Sequence, residues 1–294
     1  MQQPQGVIYA VSGDKYFAEM RRSLRSLRQV SPNMPVAVFT DHAAPAMDIP
    51  DLQARQLPKG AEPFSAKRMK ISAFLATPFE KTLFIDSDTH ICGDLTTLFD
   101  ILDRFDVCAA LDPGLWNPKC VDGDVQKSGF EVPAAFVEHN TGLVGFRSTP
   151  GVMEFLRKWR DYHALGISHG ISADQPSFRK CLYESDLRVA TLPSEYNLRT
   201  PFIGAVFGRV ILIHGRLDST HLAERFNERT NSTRLYVPGI GVIGRPRNPF
   251  LKVINRMRLS RANRLECGTP GTLSRNRGKH VAPEPLEEAV LSFR

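Results

Sequence analysis

Four short segments in the first 111 residues are almost continuously apolar: Gly6–Ser12 (Gly-Val-Ile-Tyr-Ala-Val-Ser), Val36–Phe39, Thr82–Ile85 and Phe105–Leu111. A strand that is apolar at nearly every position has no face to give to water, so its sheet must be covered on both sides. Between these segments the apolar spacing turns helical. After Ser12-Gly13-Asp14, residues Tyr16, Met20, Leu24 and Leu27 fall on one side, with Arg21, Arg22 and Arg25 outside. A second helix is predicted from about Pro63 to Leu75, and a third over 94–103, with Asp94 as its cap. Strands alternating with helices predict an α/β fold, a mostly parallel sheet flanked by helices.

The second half continues the pattern after a Pro-, Gly-, Asn- and Asp-containing stretch at 113–130 that reads as a loop over the sheet edge. Residues 141–146 read as a strand, Val152–His163 as a helix, Asp174-Gln175 as the opening of another helix through Leu182, and Val210–Ile213 as a last strand ending at His214. No internal repeat is evident. The length of 294 residues and a hydrophobic share of 42% suit one large domain, or one domain plus an appendage. No stretch approaches the roughly 18 apolar residues of a spanning helix, and no apolar secretory segment opens the chain. Five scattered cysteines (Cys92, Cys108, Cys120, Cys181, Cys267) lack metal-ligand spacing and suit reduced core thiols. These features predict a cytoplasmic protein.

Charge divides the chain. Residues 222–294 hold 14 Lys/Arg against 6 Asp/Glu, whereas residues 1–221 hold 24 against 25. A near-neutral body (1–221) thus carries a basic C-terminal extension (222–294). Within the extension, Arg245, Arg247, Lys252, Arg256, Arg258, Arg261 and Arg264 interleave with Phe250, Leu251, Val253, Ile254 and Met257. Such a segment either lies on an anionic membrane surface or is solvated or packed against the body. No nucleic-acid recognition motif accompanies the charge. The end of the chain, 268–294, reads as loosely structured.

The chemistry-bearing motif follows the third apolar run: Ile85-Asp86-Ser87-Asp88-Thr89. On strand alternation Asp86 and Asp88 point the same way at the strand's C-terminal end, the edge where open α/β sheets bind ligands. Two adjacent carboxylates repel, and a divalent cation relieves that repulsion and in turn binds phosphate oxygens. A solvated turn capping the next helix is the alternative, but Asp94 already fills the cap role. Val11-Ser12, Asn140, Asp174-Gln175 and His214 also fall at strand ends or helix starts. With His214, the two carboxylates make an oxygen–oxygen–imidazole set suited to Mn²⁺ or Mg²⁺.

In order and spacing, these segments resemble a nucleotide-diphospho-sugar transferase of the GT-A fold, closest in layout to glycosyltransferase family 8, over residues 6–216. The resemblance implies a base and ribose site along the first strand and helix (Ala10, Val11, Asp14, Tyr16), where Tyr16 either stacks on uracil or is a first-turn core aromatic. It implies donor phosphate and sugar contacts from Arg68, Lys70 and Asn140, the last in Asn140-Thr141-Gly142. By itself that tripeptide reads as a turn before a strand. It implies metal ligation by Asp86, Asp88 and His214, and catalytic positions at Asp174-Gln175, although Asp174 is by residue type a good helix cap. His139 has no counterpart and reads as a surface residue. One departure stands out: the family follows its late His with Gly and then Lys-Pro-Trp, whereas His214 is followed by Gly-Arg-Leu-Asp-Ser, leaving Arg216 as the nearby cation.

The expected activity is metal-dependent transfer of a sugar, with retention, from a nucleotide-diphosphate donor such as a UDP-sugar to a hydroxyl of a carbohydrate or lipid-linked acceptor. In an inverting variant of the reaction Asp112 or Asp174 would be the base. A peripheral position on the inner membrane face follows if the tail binds lipid. A nucleotidyltransferase is the rival, but Ser12-Gly13-Asp14-Lys15 is too short and acidic for a triphosphate loop. A non-catalytic nucleotide- or sugar-binding protein is the other.

Overall fold

The computed structural model describes residues 3–41, 52–56, 66–113, 129–133, 135–216, 219–244 and 257. Its centre is a seven-stranded sheet built from β1 (Gln3–Val11), β2 (Val36–Thr40), β3 (Leu52–Gln56), β4 (Phe79–Ile85), β6 (Val107–Leu111), β7 (His139–Arg147) and β8 (Val189–Leu192). The order is β3-β2-β1-β4-β7-β6-β8. All neighbours are parallel except at β7, which runs antiparallel to both β4 and β6. The predicted α/β class and the flanked, mostly parallel sheet are therefore present. The reversed β7 matters for the site, because it brings the start of that strand to the rim where β1, β4 and β6 end.

Both faces of the sheet are buried, as the unbroken apolar runs require. Val7, Tyr9 and Val11 of β1 point into a core shared with Met20, Leu24 and Leu27 of α1 (Asp14–Val30). Ile8, between them, faces the opposite core, with Phe74 of α2 (Ala66–Leu75), Trp159 of α4 (Pro150–Ser168) and Phe178 of α5 (Gln175–Tyr183). Phe74 anchors that side, with ring centroids 4.7 Å from Phe84, 5.2 Å from Phe146 and 5.3 Å from Trp159. Truncating such a residue to Ala costs about 3–5 kcal/mol. Thr149 caps α4 and Pro150 opens it, which starts that helix before the expected Val152.

Two small sheets accompany the central one among the described residues. β5 (Thr89–Ile91), β9 (Leu198–Arg199) and β11 (Leu212–His214) form one, with β11 central; β10 (Gly204–Val206), β12 (Arg234–Val237) and β13 (Gly241–Gly244) form the other. The strand expected at 210–213 thus sits at 212–214, outside the central sheet, and includes His214. Helix α3 covers Thr97–Ile101 rather than starting at 94. Asp94 instead closes the turn before it, accepting from the backbone N–H and the hydroxyl of Thr96. Among the described residues just past 221, Leu222, Ala223 and Phe226 of α6 (Ser219–Asn227) and Tyr236 of β12 share a core with Val210 and Ile213. The basic amphipathic stretch at 245–265 lies, apart from Met257, outside the described residues. No helix among the described residues is long and apolar enough to cross a membrane. Cys92, Cys108 and Cys181 are free thiols, while Cys120 and Cys267 fall outside the described residues.

Candidate functional site

The strand β4 ends at Ile85, and Asp86-Ser87-Asp88 form the turn into β5. Strand alternation is therefore not what aligns the two carboxylates. The turn is pinned from both sides: Asp86 N–H donates to Gly142 O of β7 at 2.8 Å, and Thr89 Oγ1 donates to Asp86 O at 2.9 Å. Because the Thr89 hydroxyl proton is used there, Ser23 of α1 must donate to Thr89 (2.7 Å) and Tyr9 to Ser23 (3.1 Å). This buried hydroxyl chain ties β1, α1 and the turn together, each link strengthening the next.

His214 comes alongside because β11 pairs antiparallel with β5, placing His214 opposite Thr89. Its Nε2 lies 3.3 Å from Asp88 Oδ1 and 3.6 Å from Asp86 Oδ2. One ligand atom from each of the three residues fits within 4.8 Å of the others. The ring tautomer follows from a chain of hydrogen bonds that begins at a backbone group. Gly142 N–H donates to Asn140 Oδ1 (2.9 Å), and Asn197 Nδ2 donates to the same oxygen (2.7 Å). Asn197 therefore turns its Oδ1 to His214 Nδ1, 2.9 Å away, and that nitrogen carries the proton. With Nδ1 so committed, Nε2 is the ring atom aimed at the two carboxylates. Only a second proton or a cation reconciles three acceptors so placed, and a carboxylate–carboxylate–imidazole set with an oriented His suits a divalent ion. Burial opposes ionisation of Asp88, but with that second proton on Nε2 the hydrogen bond and charge of His214, then the charge of Arg216, hold its carboxyl well below the ordinary range.

Beside this triad lies a buried lysine. Lys70 Nζ is 3.1 Å from Asp174 Oδ2 and 3.4 Å from Asp86 Oδ1, and donates to Thr141 Oγ1 at 3.0 Å. Burial alone would favour the neutral amine, but the carboxylates of Asp174 and then Asp86 outweigh it and raise its pKa. Asp174 precedes α5 at the cap position, yet its side chain makes no capping bond. It accepts from Thr141 Oγ1 (2.9 Å) and pairs with Lys70 instead, so the capping role open to it in the sequence is not the one it takes. Its neighbour Gln175 donates from Nε2 to Asp112 Oδ2 and to Glu138 Oε1, both at 2.9 Å. That fixes the amide and leaves Oε1 on the side of Asn140 Nδ2, 3.1 Å away.

The triad, Lys70, Asp174 and Gln175 line one cleft of about 380 Å³. Of the positions expected from the sequence, it gathers Ala10, Val11, Tyr16, Lys70, Asp86, Asp88, Asn140, Asp174, Gln175, His214 and Arg216. Arg68 and Asp14 are not part of its lining. Tyr16 is 38% exposed, which removes its reading as a core aromatic. Asn140-Thr141-Gly142 lies inside strand β7, not in a turn. His139 is buried, not on the surface, with its Nε2 3.0 Å from Thr191 Oγ1.

Sequence reasoning missed Asn197, Glu19 and Glu138. Asn197 sits in an irregular stretch between a single 3-10 turn (Ser194–Tyr196) and the two-residue β9, where no periodicity marks it. Glu19 is the one charged residue among the buried positions of α1. A charged residue at a core-facing helical position was the one available signal for it.

No family model matches the chain, and no curated protein matches it in sequence. Solved structures do. The galactosyltransferase LgtC, in complex with donor and acceptor sugar analogues, is 16% identical; the match covers 76% of this chain and 94% of LgtC, with a TM-score of 0.50. An active-site glutamine-to-glutamate mutant of LgtC gives the same identity, coverage and score. At this identity the likeness establishes the fold: the chain has the GT-A architecture of that galactosyltransferase.

Proposed function

We propose that this protein is a glycosyltransferase that moves a sugar from a nucleotide-diphosphate donor, in the first instance a UDP-sugar, to an acceptor hydroxyl. The observation that carries the reading is the convergence of Asp86, Asp88 and His214 with the Lys70–Asp174 pair in one cleft at the sheet rim. LgtC, which shares the fold, binds donor and acceptor sugar analogues.

Asp86, Asp88 and His214 would hold Mn²⁺ or Mg²⁺, and the bound cation would stabilise the charge that develops on the departing diphosphate. Lys70, already ionised by its neighbours, adds fixed positive charge beside Asp86. Tyr16, half-exposed in the first turn of α1, offers a stacking face for the base beyond the ends of Ala10 and Val11. Asn140 and Gln175 present polar atoms where the sugar would lie. The amide of Gln175 is a poor nucleophile, but its carbonyl oxygen, oriented by Asp112 and Glu138, favours positive charge at an anomeric carbon.

Retention of configuration is supported by the state of the candidate bases. Asp174 is committed to Lys70 and Thr141, and Asp112 accepts from Asn140 and Gln175 away from the cleft lining. The acceptor is a carbohydrate hydroxyl, free or lipid-linked. The decisive experiment is calorimetric titration of UDP in Mn²⁺ and in EDTA, for the wild type and Asp88→Ala. Metal-dependent binding lost in the variant, followed by slow hydrolysis of one UDP-sugar, supports a transferase. Binding without any donor turnover would mean a non-catalytic nucleotide-binding protein, and no binding would refute the donor site.

A further inference from the structure

Helix α1 presents Tyr16 and Glu19 one turn apart, on the same face. Glu19 is only 5% exposed, and a carboxylate so buried must be paired. Its partner comes from 197 residues away. Arg216 Nε donates to Glu19 Oε1 at 2.9 Å and Nη2 to Oε2 at 3.4 Å, a two-point grip on the guanidinium. Ser87, between the two metal-turn aspartates, donates to Glu19 Oε2 at 3.4 Å. The grip leaves Arg216 Nη1 3.5 Å from Asp88 Oδ2 and Cζ 5.7 Å from the Tyr16 ring centre.

The loop bearing Arg216 is also constrained from its other end. Gly215 N–H donates to Asp88 O at 2.8 Å, and its φ of 145° is a conformation that L side chains rarely adopt. A Cβ there would also overlap Thr200 Oγ1. His214-Gly215-Arg216 therefore places a metal ligand and a cation on the same short lever. Yet the Arg216 side chain is 53% exposed, and a long exposed side chain with no anchor samples many rotamers. Glu19 removes that freedom before any ligand arrives.

We infer that Glu19 is a positioning residue: it holds Arg216 between the metal turn and Tyr16, so that the guanidinium meets the diphosphate of the donor without reorganising. This inference rests on the donor-site reading above. Preorganisation raises affinity by lowering the ordering cost on binding. It acts on phosphate and not on the base, and that separation makes it testable.

The test is a double-mutant cycle of Glu19→Gln and Arg216→Met, read by calorimetry in Mn²⁺ with three probes: UDP, uridine and inorganic pyrophosphate. Glu19→Gln weakens UDP and pyrophosphate binding about 3- to 10-fold and leaves uridine binding within about twofold. Arg216→Met weakens the same two probes by roughly tenfold or more, and in that background Glu19→Gln adds nothing. Unchanged or tighter UDP binding in Glu19→Gln overturns the inference, tighter binding identifying the pair as a latch that blocks the site. Equal losses for UDP and uridine, with a lowered melting temperature, overturn it in favour of a purely structural ion pair. Should the wild type bind neither UDP nor pyrophosphate in Mn²⁺, the donor-site reading itself falls, and this inference with it.

Discussion

Asn197 Oδ1 lies 2.9 Å from His214 Nδ1, and that contact decides which ring nitrogen faces Asp86 and Asp88. Asn197 in turn is oriented by Asn140, whose own amide is oriented by the backbone N–H of Gly142. The ligand state of His214 is thus set three residues back from the ring itself, at Gly142.

Asn197→Ala removes the acceptor that holds the proton on Nδ1. Affinity for Mn²⁺ should fall by about 10–100-fold, the usual consequence of losing such an outer partner. Titration of Mn²⁺ into wild type and variant, followed by electron paramagnetic resonance of the free ion, measures it. Equal affinities would mean that His214 needs no orienting partner.

Gly142 is a glycine because of what adjoins it. A Cβ at that position would overlap the His214 ring at Cε1 and Nδ1, and would approach Asn140 Oδ1 to 2.9 Å. Gly142→Ala therefore displaces His214 from the carboxylates, and metal-dependent nucleotide binding should be lost while the far-ultraviolet circular dichroism spectrum stays native. A variant that still binds UDP only in the presence of Mn²⁺ would exclude His214 as a required ligand.

How much of this was legible in the sequence follows from how local each cause is. Continuous apolar runs declared a sheet buried on both faces, because that burial is written residue by residue along β1, β2 and β4. Asp86 and Asp88 were recognisable as a pair, but not their alignment, which comes from a turn pinned by Ser23 and Gly142 rather than from strand alternation. Asn140 and His214 were placed at strand ends; that they meet depends on β7 running backwards and β11 joining β5, pairings that no single segment encodes. Asp174 looked like a cap because its local context is that of a cap, and only a lysine 104 positions earlier in the chain redirects it. Glu19 and Arg216, far apart in sequence, left no joint pattern to read.

Lys70 is the buried cation paired with Asp174, 3.1 Å from its Oδ2. Both side chains are 8% exposed, and removing one member of such a pair leaves an uncompensated buried charge. Lys70→Met keeps most of the volume and should cost about 3–5 kcal/mol in urea unfolding. Lys70→Met combined with Asp174→Leu should recover much of that loss while abolishing activity. A single variant as stable as wild type would place the pair in water, not in the core.

His139 gives the protein a pH-sensitive element of its own. Burial pushes its imidazole down from 6.5 to about 4, because the charged ring would be cut off from water. In the unfolded chain the ring takes up a proton as pH falls through 6.5; in the folded protein it resists until about 4. The unfolded state therefore binds more protons across that window, and stability present above pH 6.5 is lost as pH falls towards 4. The full loss is on the order of 3 kcal/mol at 1.36 kcal/mol per pH unit. Asp106, held down to about 2 mainly by its bonds to Arg188 and Arg147 against the opposing effect of burial, titrates below this window and leaves it undisturbed. Urea unfolding of wild type and His139→Gln at pH 7 and pH 4.5 separates the contribution. The variant should be less stable at pH 7 yet lose less on acidification, its amide taking over the contact with Thr191. Parallel losses in the two proteins would show that the ring is already solvated in the folded state.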